Sequence, residues 1–120
     1  MRRVLVVDDD KMNLRRTRLI LEKYYDILTA ESGQEALDII SDYKEIDLIL
    51  LDIEMPGMSG IETFQRMKER GLDIPVIYLT ASGHEDDVMN AIRLGAVNSL
   101  KKPFLPQDLM ERIAKEFDKK

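Results

Sequence analysis

The 120-residue sequence predicts an α/β fold in which one five-stranded parallel sheet carries helices on both faces. Five short runs rich in Val, Ile and Leu are apolar at consecutive positions, which is typical of strands that are buried on both sides. Segments with apolar residues at helical spacing alternate with these runs, and only a few residues connect them. Such a (βα)₅ alternation implies right-handed crossovers and therefore a doubly wound sheet.

The elements can be assigned in order along the chain. The predicted strands are Val4–Val7, Ile27–Ala30, Leu48–Leu51, Val76–Leu79 and, with a weaker pattern, Val97–Leu100. The helical stripes are Leu14, Thr17, Leu21 and Tyr24; Ala36, Leu37 and Ile40; Ile61, Phe64, Met67 and Lys68; Val88, Ala91, Ile92 and Gly95; and Leu109, Ile113 and Phe117. Boundary signals agree with this division: Ser32 and Glu35 as a capping box, Gly71 and Gly95 as helix ends, and Pro75 before a strand. We expect one domain over residues 1–120.

The composition limits the class of protein. A net charge of −5 argues against direct nucleic-acid binding, which needs a basic surface. The absence of cysteine removes disulfides and thiolate metal sites from consideration. No stretch approaches the ~20 apolar residues of a membrane span, and the apolar run Val4–Val7 is too short for a signal peptide. We therefore expect a soluble cytoplasmic protein without membrane insertion.

Polar side chains lie where four of the predicted strands end. Asp8 and Asp9 close the first strand, Asp52 the third, Thr80 the fourth and Lys102 the fifth. Open parallel sheets bind ligands beyond these carboxyl ends, close to the point where the strand order reverses. We therefore expect carboxylates, a hydroxyl and an ammonium group to meet at one edge of the sheet.

This set of side chains suits phosphoryl transfer. Clustered carboxylates repel one another unless a cation intervenes, and Mg²⁺ suits a site with few carboxylates and room for water and a phosphate oxygen. A neutralised Asp52 could attack phosphorus, while Lys102 and Thr80 meet the developing charge. Taken singly, residues of these types usually have ordinary roles as helix caps, turn residues or surface charges, and Asp10 is expected to be such a cap. Their coincidence at four strand ends favours a functional site.

Four segments carry a resemblance to a known family. VLVVDDD, LILLDIEMPGMSGIE, PVIYLTA and GAVNSLKKPF resemble the signature blocks of the bacterial two-component response-regulator receiver family, of the chemotaxis-regulator type, in order and over essentially the whole chain. The resemblance implies a flavodoxin-like fold with strand order 2-1-3-4-5. It also implies a domain that catalyses only its own phosphorylation and dephosphorylation and needs no organic cofactor.

The resemblance also implies a role for each site residue. Asp52 matches the phosphoacceptor, Asp9 a direct Mg²⁺ ligand, Asp8 a carboxylate that holds the ion largely through water, the backbone carbonyl of Glu54 a further ligand, Thr80 the switch hydroxyl and Lys102 the phosphate-binding lysine before a cis peptide to Pro103. The implied donor is a histidine kinase or a histidine phosphotransfer protein. The implied output is a downstream effector or a fused output domain, reached through the fourth helix, fifth strand and fifth helix, where a homodimer is an alternative.

The sequence departs from the family pattern at one informative position. Ser99 lies where the family usually has Tyr or Phe, whose ring moves inward when the switch hydroxyl moves. A small hydroxyl cannot fill that space, which leaves two alternatives: backbone movement of the loop after Thr80 carries the output, or switching is weak. Glu54 and Ser82 occupy variable positions that tune phosphoryl lifetime in the family. His84, the one histidine in the chain, is interpreted as a loop residue, because one His without further ligands is poor evidence for a metal.

Two other classes of protein share part of this pattern. A phosphatase of the haloacid-dehalogenase type also uses an aspartate nucleophile and Mg²⁺, but it needs a second Asp where this chain has Glu54. A flavodoxin-like cofactor-binding domain shares the strand order. Its first loop must cradle a phosphate with hydroxyls and backbone amides, which the Asp8–Asp10 loop would instead repel.

Overall fold

The computed structural model describes residues 1–42, 45–81 and 85–119, with Glu85 and Asp87 described by their backbone alone. Ser82 and His84 lie outside the described residues. The elements are β1 (Arg3–Val7), α1 (Lys11–Leu21), β2 (Asp26–Ala30), α2 (Gly33–Asp42), β3 (Leu48–Asp52), α3 (Gly60–Glu69), β4 (Val76–Thr80), α4 (Glu85–Leu94), β5 (Asn98–Lys101) and α5 (Pro106–Asp118).

The five strands form one sheet in the order β2-β1-β3-β4-β5, and every neighbouring pair is parallel. This arrangement confirms the predicted flavodoxin-like, doubly wound (βα)₅ fold. The order reverses beside β1, where consecutive strands leave in opposite directions, and the carboxyl ends of β1 and β3 flank a crevice there. Any site at this crevice is built from the loops that follow β1, β3, β4 and β5.

The central strands are buried on both faces, as their continuous apolar pattern predicts. Alternate residues of each strand enter different cores, since side chains of a strand point to opposite faces. Leu5 and Ile49 pack under α2, α3 and α4, whereas Val4 and Leu50 pack under α1 and α5. Burying an aliphatic side chain of this size stabilises the fold by about 1.5–3 kcal/mol, so these two cores fix the strand ends firmly in place.

The helix starts show how local sequence sets the boundaries. Asp10 caps α1, because its side chain accepts hydrogen bonds from two backbone N–H groups of the first turn, as predicted. Ser32 Oγ accepts from the Glu35 N–H at 3.1 Å, which is one half of the predicted capping box. The other half differs, since the Glu35 carboxylate accepts from the N–H of Glu31 at 3.4 Å rather than from that of Ser32.

Several boundaries differ from the predicted ones. Helix α1 ends at Leu21 and leaves Tyr24 54% exposed, so the last member of that stripe lies beyond the helix. Strand β5 begins one residue later than predicted, and Val97 precedes it with 41% exposure. Gly71 and Gly95 do follow their helices, with φ of 74° and 104°, values that suit glycine at a helix C-terminus. Among the described residues no helix is both long and apolar enough to cross a membrane.

Candidate functional site at the carboxyl edge of the sheet

The fold brings the predicted site residues to one edge. Asp52 is the last residue of β3, Thr80 the last of β4, and Asp8 directly follows β1. These three residues are buried, with 2–3% of their surface exposed, whereas Asp9 is exposed to solvent. Lys102 follows β5 and reaches back toward the carboxylates. Two carboxylates are therefore buried beside a single ammonium group.

Lys102 connects β1 with β3 through charge. Its Nζ lies 2.9 Å from Asp52 Oδ2 and 3.4 Å from Asp8 Oδ2, so one cation contacts both buried carboxylates. Burial alone would lower the pKa of Lys102, but the hydrogen bonds and negative charges of Asp52 and Asp8 outweigh burial and raise it. Lys102 therefore stays positively charged. The backbone N–H of Lys102 donates to the Thr80 carbonyl at 2.7 Å, which fixes the position from which the side chain extends.

The carboxyl group of Asp52 is held in an unusual state. Burial raises its pKa to about 6, against the opposing effect of the Lys102 hydrogen bond and charge. The negative charge of Asp8 adds to the increase, and the hydrogen bond from the Glu54 N–H to Oδ1, at 3.2 Å, reduces it. Near neutral pH Asp52 is thus ionised in a place that disfavours its charge, and a second cation would relieve this cost.

The acidic cluster has the chemistry of a hard-cation site. Asp8, Asp9 and Asp52 each offer a carboxylate oxygen, and these atoms lie within 4.8 Å of one another. Asp8 is oriented by the N–H of Asp10, which donates to its Oδ1 at 3.0 Å. Three carboxylates with one ammonium group leave a net negative charge. An all-oxygen set of this kind fits Mg²⁺.

Glu54 and Thr80 also lie at this edge. The Glu54 backbone contacts Asp52 through its N–H, and its side chain is exposed. The Thr80 hydroxyl donates to the carbonyl of Ala81 at 3.2 Å. It therefore bonds to the neighbouring backbone instead of to the carboxylates of the site. The Lys102–Pro103 peptide is cis, as the resemblance implied.

Gly60 has a part in the site that the sequence analysis missed. Its N–H donates to the Ile53 carbonyl at 2.8 Å, which joins the start of α3 to the end of β3. A Cβ at this position would lie 2.2 Å from the Asp52 carbonyl oxygen and 2.7 Å from Ile53 Cα. Only glycine permits so close an approach of two backbones. The available signal was the glycine directly after the helix cap Ser59, within a segment whose other glycine is a turn residue.

Fold and site together define a class: a doubly wound α/β domain with a buried, lysine-paired aspartate in an acidic crevice at the switch point of its sheet. Comparison with known proteins identifies the family within this class. A family model described as the response regulator receiver domain matches residues 4–114. The chain belongs to this family, the receiver domains of two-component response regulators.

Individual proteins agree with this assignment. Response regulator SaeR of Staphylococcus epidermidis is 42% identical over 114 residues, which cover 93% of this chain and 48% of that protein. A receiver domain protein from Clostridium thermocellum superimposes with a TM-score of 0.92 at 31% identity, covering 99% and 96% of the two chains. A CheY-like receiver from Methanospirillum hungatei gives 0.91 at 31% identity, covering 99% and 95%. The chain spans about half the length of the curated relatives it matches.

Proposed function

We propose that residues 1–120 form one receiver domain that accepts a phosphoryl group on Asp52 from a histidine kinase or a histidine phosphotransfer protein, in the cytoplasm. The observation that carries the proposal is the environment of Asp52: a buried carboxylate, 2.9 Å from Lys102 Nζ, within an acidic cluster at the switch point of the sheet. Membership of the receiver family supports the same role.

The proposed metal is Mg²⁺, with Asp8, Asp9, Asp52 and the backbone carbonyl of Glu54 as its protein ligands. When bound, the ion neutralises charge on the carboxylates and on the phosphoryl oxygens. The carboxylate cluster supports this choice, because its donors are all oxygens and its summed charge is negative. Asp8 has its orientation fixed by the Asp10 N–H before any ion arrives.

The chain's own residues account for the remaining chemistry. A carboxylate oxygen of Asp52 forms the new bond to phosphorus while the bond from phosphorus to the donor imidazole nitrogen breaks, and the imidazole leaves with the bonding electron pair. Lys102 remains protonated and meets the negative charge on the transferring group. Hydrolysis of the resulting acyl phosphate returns Asp52. The domain would thus catalyse only its own phosphorylation and dephosphorylation.

Thr80 would report the phosphoryl group to the surface. Its hydroxyl bonds to the Ala81 carbonyl and can exchange this neutral acceptor for a charged phosphoryl oxygen, which binds a donor more strongly. That exchange would move the loop after β4 and bias the surface of α4, β5 and α5 toward a partner. The partner is a downstream effector or a fused output domain, and a second copy of the chain is the alternative.

The proposal is tested by labelling the purified protein with a small acyl-phosphate donor. We expect one phosphoryl group per chain in Mg²⁺, sensitive to hydroxylamine because an acyl phosphate is an activated carboxyl group, and no labelling in EDTA. Mass spectrometry of the intact chain provides the measurement. Labelling that is unaffected by EDTA would contradict the metal role. Repeated turnover of phosphate monoesters would instead indicate a phosphatase.

Mg²⁺ affinity should depend on pH through Asp52. Because its pKa is about 6, protons compete with the ion below that value, and ligands must be deprotonated to bind metal. We expect the affinity to fall about tenfold between neutral pH and about pH 5, measured by isothermal titration calorimetry. An affinity that stays constant over this range would show that Asp52 is not a ligand.

A further inference from the structure

A cleft of about 390 Å³ lies beside Thr80, between α4 and the edge strand β5. Its lining consists of Thr80, Ala81, Val88, Met89, Ser99, Lys101 and Arg112. Ser99 is in register with Tyr78 of the neighbouring strand, so both side chains point to the same face of the sheet as Thr80. Tyr78 is fully buried in the core, whereas the small Ser99 leaves space above the sheet. Ser99 therefore adds little bulk to the floor of the cleft.

The described helix residues that line the cleft are apolar. Val88 is half-buried, Met89 is 51% exposed, and Ile92, one turn further along the same side of α4, is 54% exposed. Exposed apolar side chains that adjoin one another mark interaction sites more often than isolated ones do. A volume of ~150 Å³ is enough to bind benzene, so the cleft has room for one aromatic ring.

The opposite rim is cationic. Arg112 reaches across the edge of β5, where its Nη1 donates to Asn98 Oδ1 at 2.9 Å and to the Ser99 carbonyl. Both contacts use Nη1, and no other described residue accepts from its Nη2 or Nε, which can pair with a carboxylate in a bidentate manner. Lys101 is exposed and forms no ion pair with a described residue. Of the described lining residues two are cationic and none is acidic.

We propose that this cleft binds a short acidic segment of a partner protein, which inserts one aromatic side chain beside Thr80. The ring contacts Val88 and Met89, and flanking carboxylates pair with Lys101 and Arg112. The partner thereby supplies the ring that the chain lacks at position 99. The inference rests on the proposed function, since it specifies what the surface of α4, β5 and α5 binds. A shift of Thr80 changes the depth of the cleft and hence the affinity for the partner.

The test uses the unphosphorylated full chain and the blocked peptide acetyl-Asp-Glu-Phe-Asp-amide, with binding followed by amide shifts in ¹⁵N NMR spectra. We expect saturable shifts centred on Thr80, Ala81 and Ser99. Replacing the Phe of the peptide by Ala should weaken binding at least about tenfold, because the ring provides most of the buried area. Ser99→Phe, which fills the cleft from within, should weaken peptide binding by a similar factor.

Charge is tested with a matched pair of variants. Lys101→Glu should weaken binding about tenfold or more, whereas Lys23→Glu, the same change at an exposed position after α1, should have no effect. The proposal would be overturned if the peptide bound wild type and Ser99→Phe equally, or if the shifts were centred elsewhere. Self-association in sedimentation experiments, with the cleft buried between two copies, would overturn it as well. The peptide experiment contains no phosphodonor, so it is independent of the labelling experiment. If Asp52 is labelled but the peptide does not bind, this inference alone is refuted. Peptide binding without labelling refutes the proposed function alone.

Discussion

Replacing Asp52 by Asn should abolish labelling by a small acyl-phosphate donor and should also make the metal-free protein more stable near neutral pH. An amide is too weak a nucleophile to accept the phosphoryl group. Stability rises because, in the wild type, the buried Asp52 carboxylate is ionised at neutral pH in an environment that disfavours its charge. The same burial raises its pKa to about 6. A site that gains stability when its reactive group is removed has retained that group for chemistry.

The sign of the pH dependence follows from the two states. The pKa of Asp52 is about 6 in the folded chain and about 3.9 in an unfolded one. The folded state therefore holds its proton over a wider range, and wild-type stability falls as pH rises between these values. Asp52→Asn removes this loss, so its advantage grows from near zero at about pH 4 to about 1–3 kcal/mol at neutral pH.

The measurement is denaturant unfolding in EDTA at both ends of this range, and labelling is measured on the same protein preparations after transfer to Mg²⁺. Asp73→Asn is the matched control, because Asp73 is exposed in a loop and the same change there should alter neither stability nor labelling. In Mg²⁺ the stability advantage of Asp52→Asn over wild type should shrink or reverse, since the ion stabilises only a protein that binds it. Labelling that persists in Asp52→Asn would exclude this residue as the acceptor.

The fold was predictable because its signals are local and repeated. Continuous apolar runs identified the buried strands, and their alternation with helical stripes implied a parallel sheet before any contact was known. Errors arose where a pattern continued past its element. Tyr24 extends the stripe of α1 although the helix ends at Leu21, and Val97 extends β5 at an exposed edge. In both places turn geometry decides the boundary, and apolar spacing carries no information about it.

The site was predictable for a topological reason. Parallel strands place their carboxyl ends at one edge, so Asp52, Thr80 and Lys102 had to meet wherever the strands were correctly identified. Atomic pairing was beyond such reasoning. Sequence does not reveal that Lys102 contacts Asp8 as well as Asp52, or that the Thr80 hydroxyl bonds to the Ala81 carbonyl. These details depend on side-chain rotamers, which many neighbours determine together.

Gly60→Ala should cause the largest loss of stability of any change proposed. The added Cβ would lie 2.2 Å from the Asp52 carbonyl oxygen and 2.7 Å from Ile53 Cα. Both are backbone atoms of a buried strand end, so no side chain can rotate away to make room. Relief requires α3 to separate from β3, which breaks the Gly60 N–H bond to the Ile53 carbonyl. We expect a loss of about 3 kcal/mol or more in the free energy of unfolding.

Gly57→Ala is the matched control for this change. Gly57 has a φ of 75° but nothing within 4 Å of the added Cβ, so its substitution costs only backbone strain of about 1–2 kcal/mol. Denaturant unfolding compares the two variants, and labelling of Asp52 tests the consequence for the site. Because α3 begins against the carbonyl of Asp52, Gly60→Ala should slow labelling of the folded fraction, whereas Gly57→Ala should slow it less. If the two variants lose equal stability, close packing of α3 on β3 is not what requires glycine at position 60.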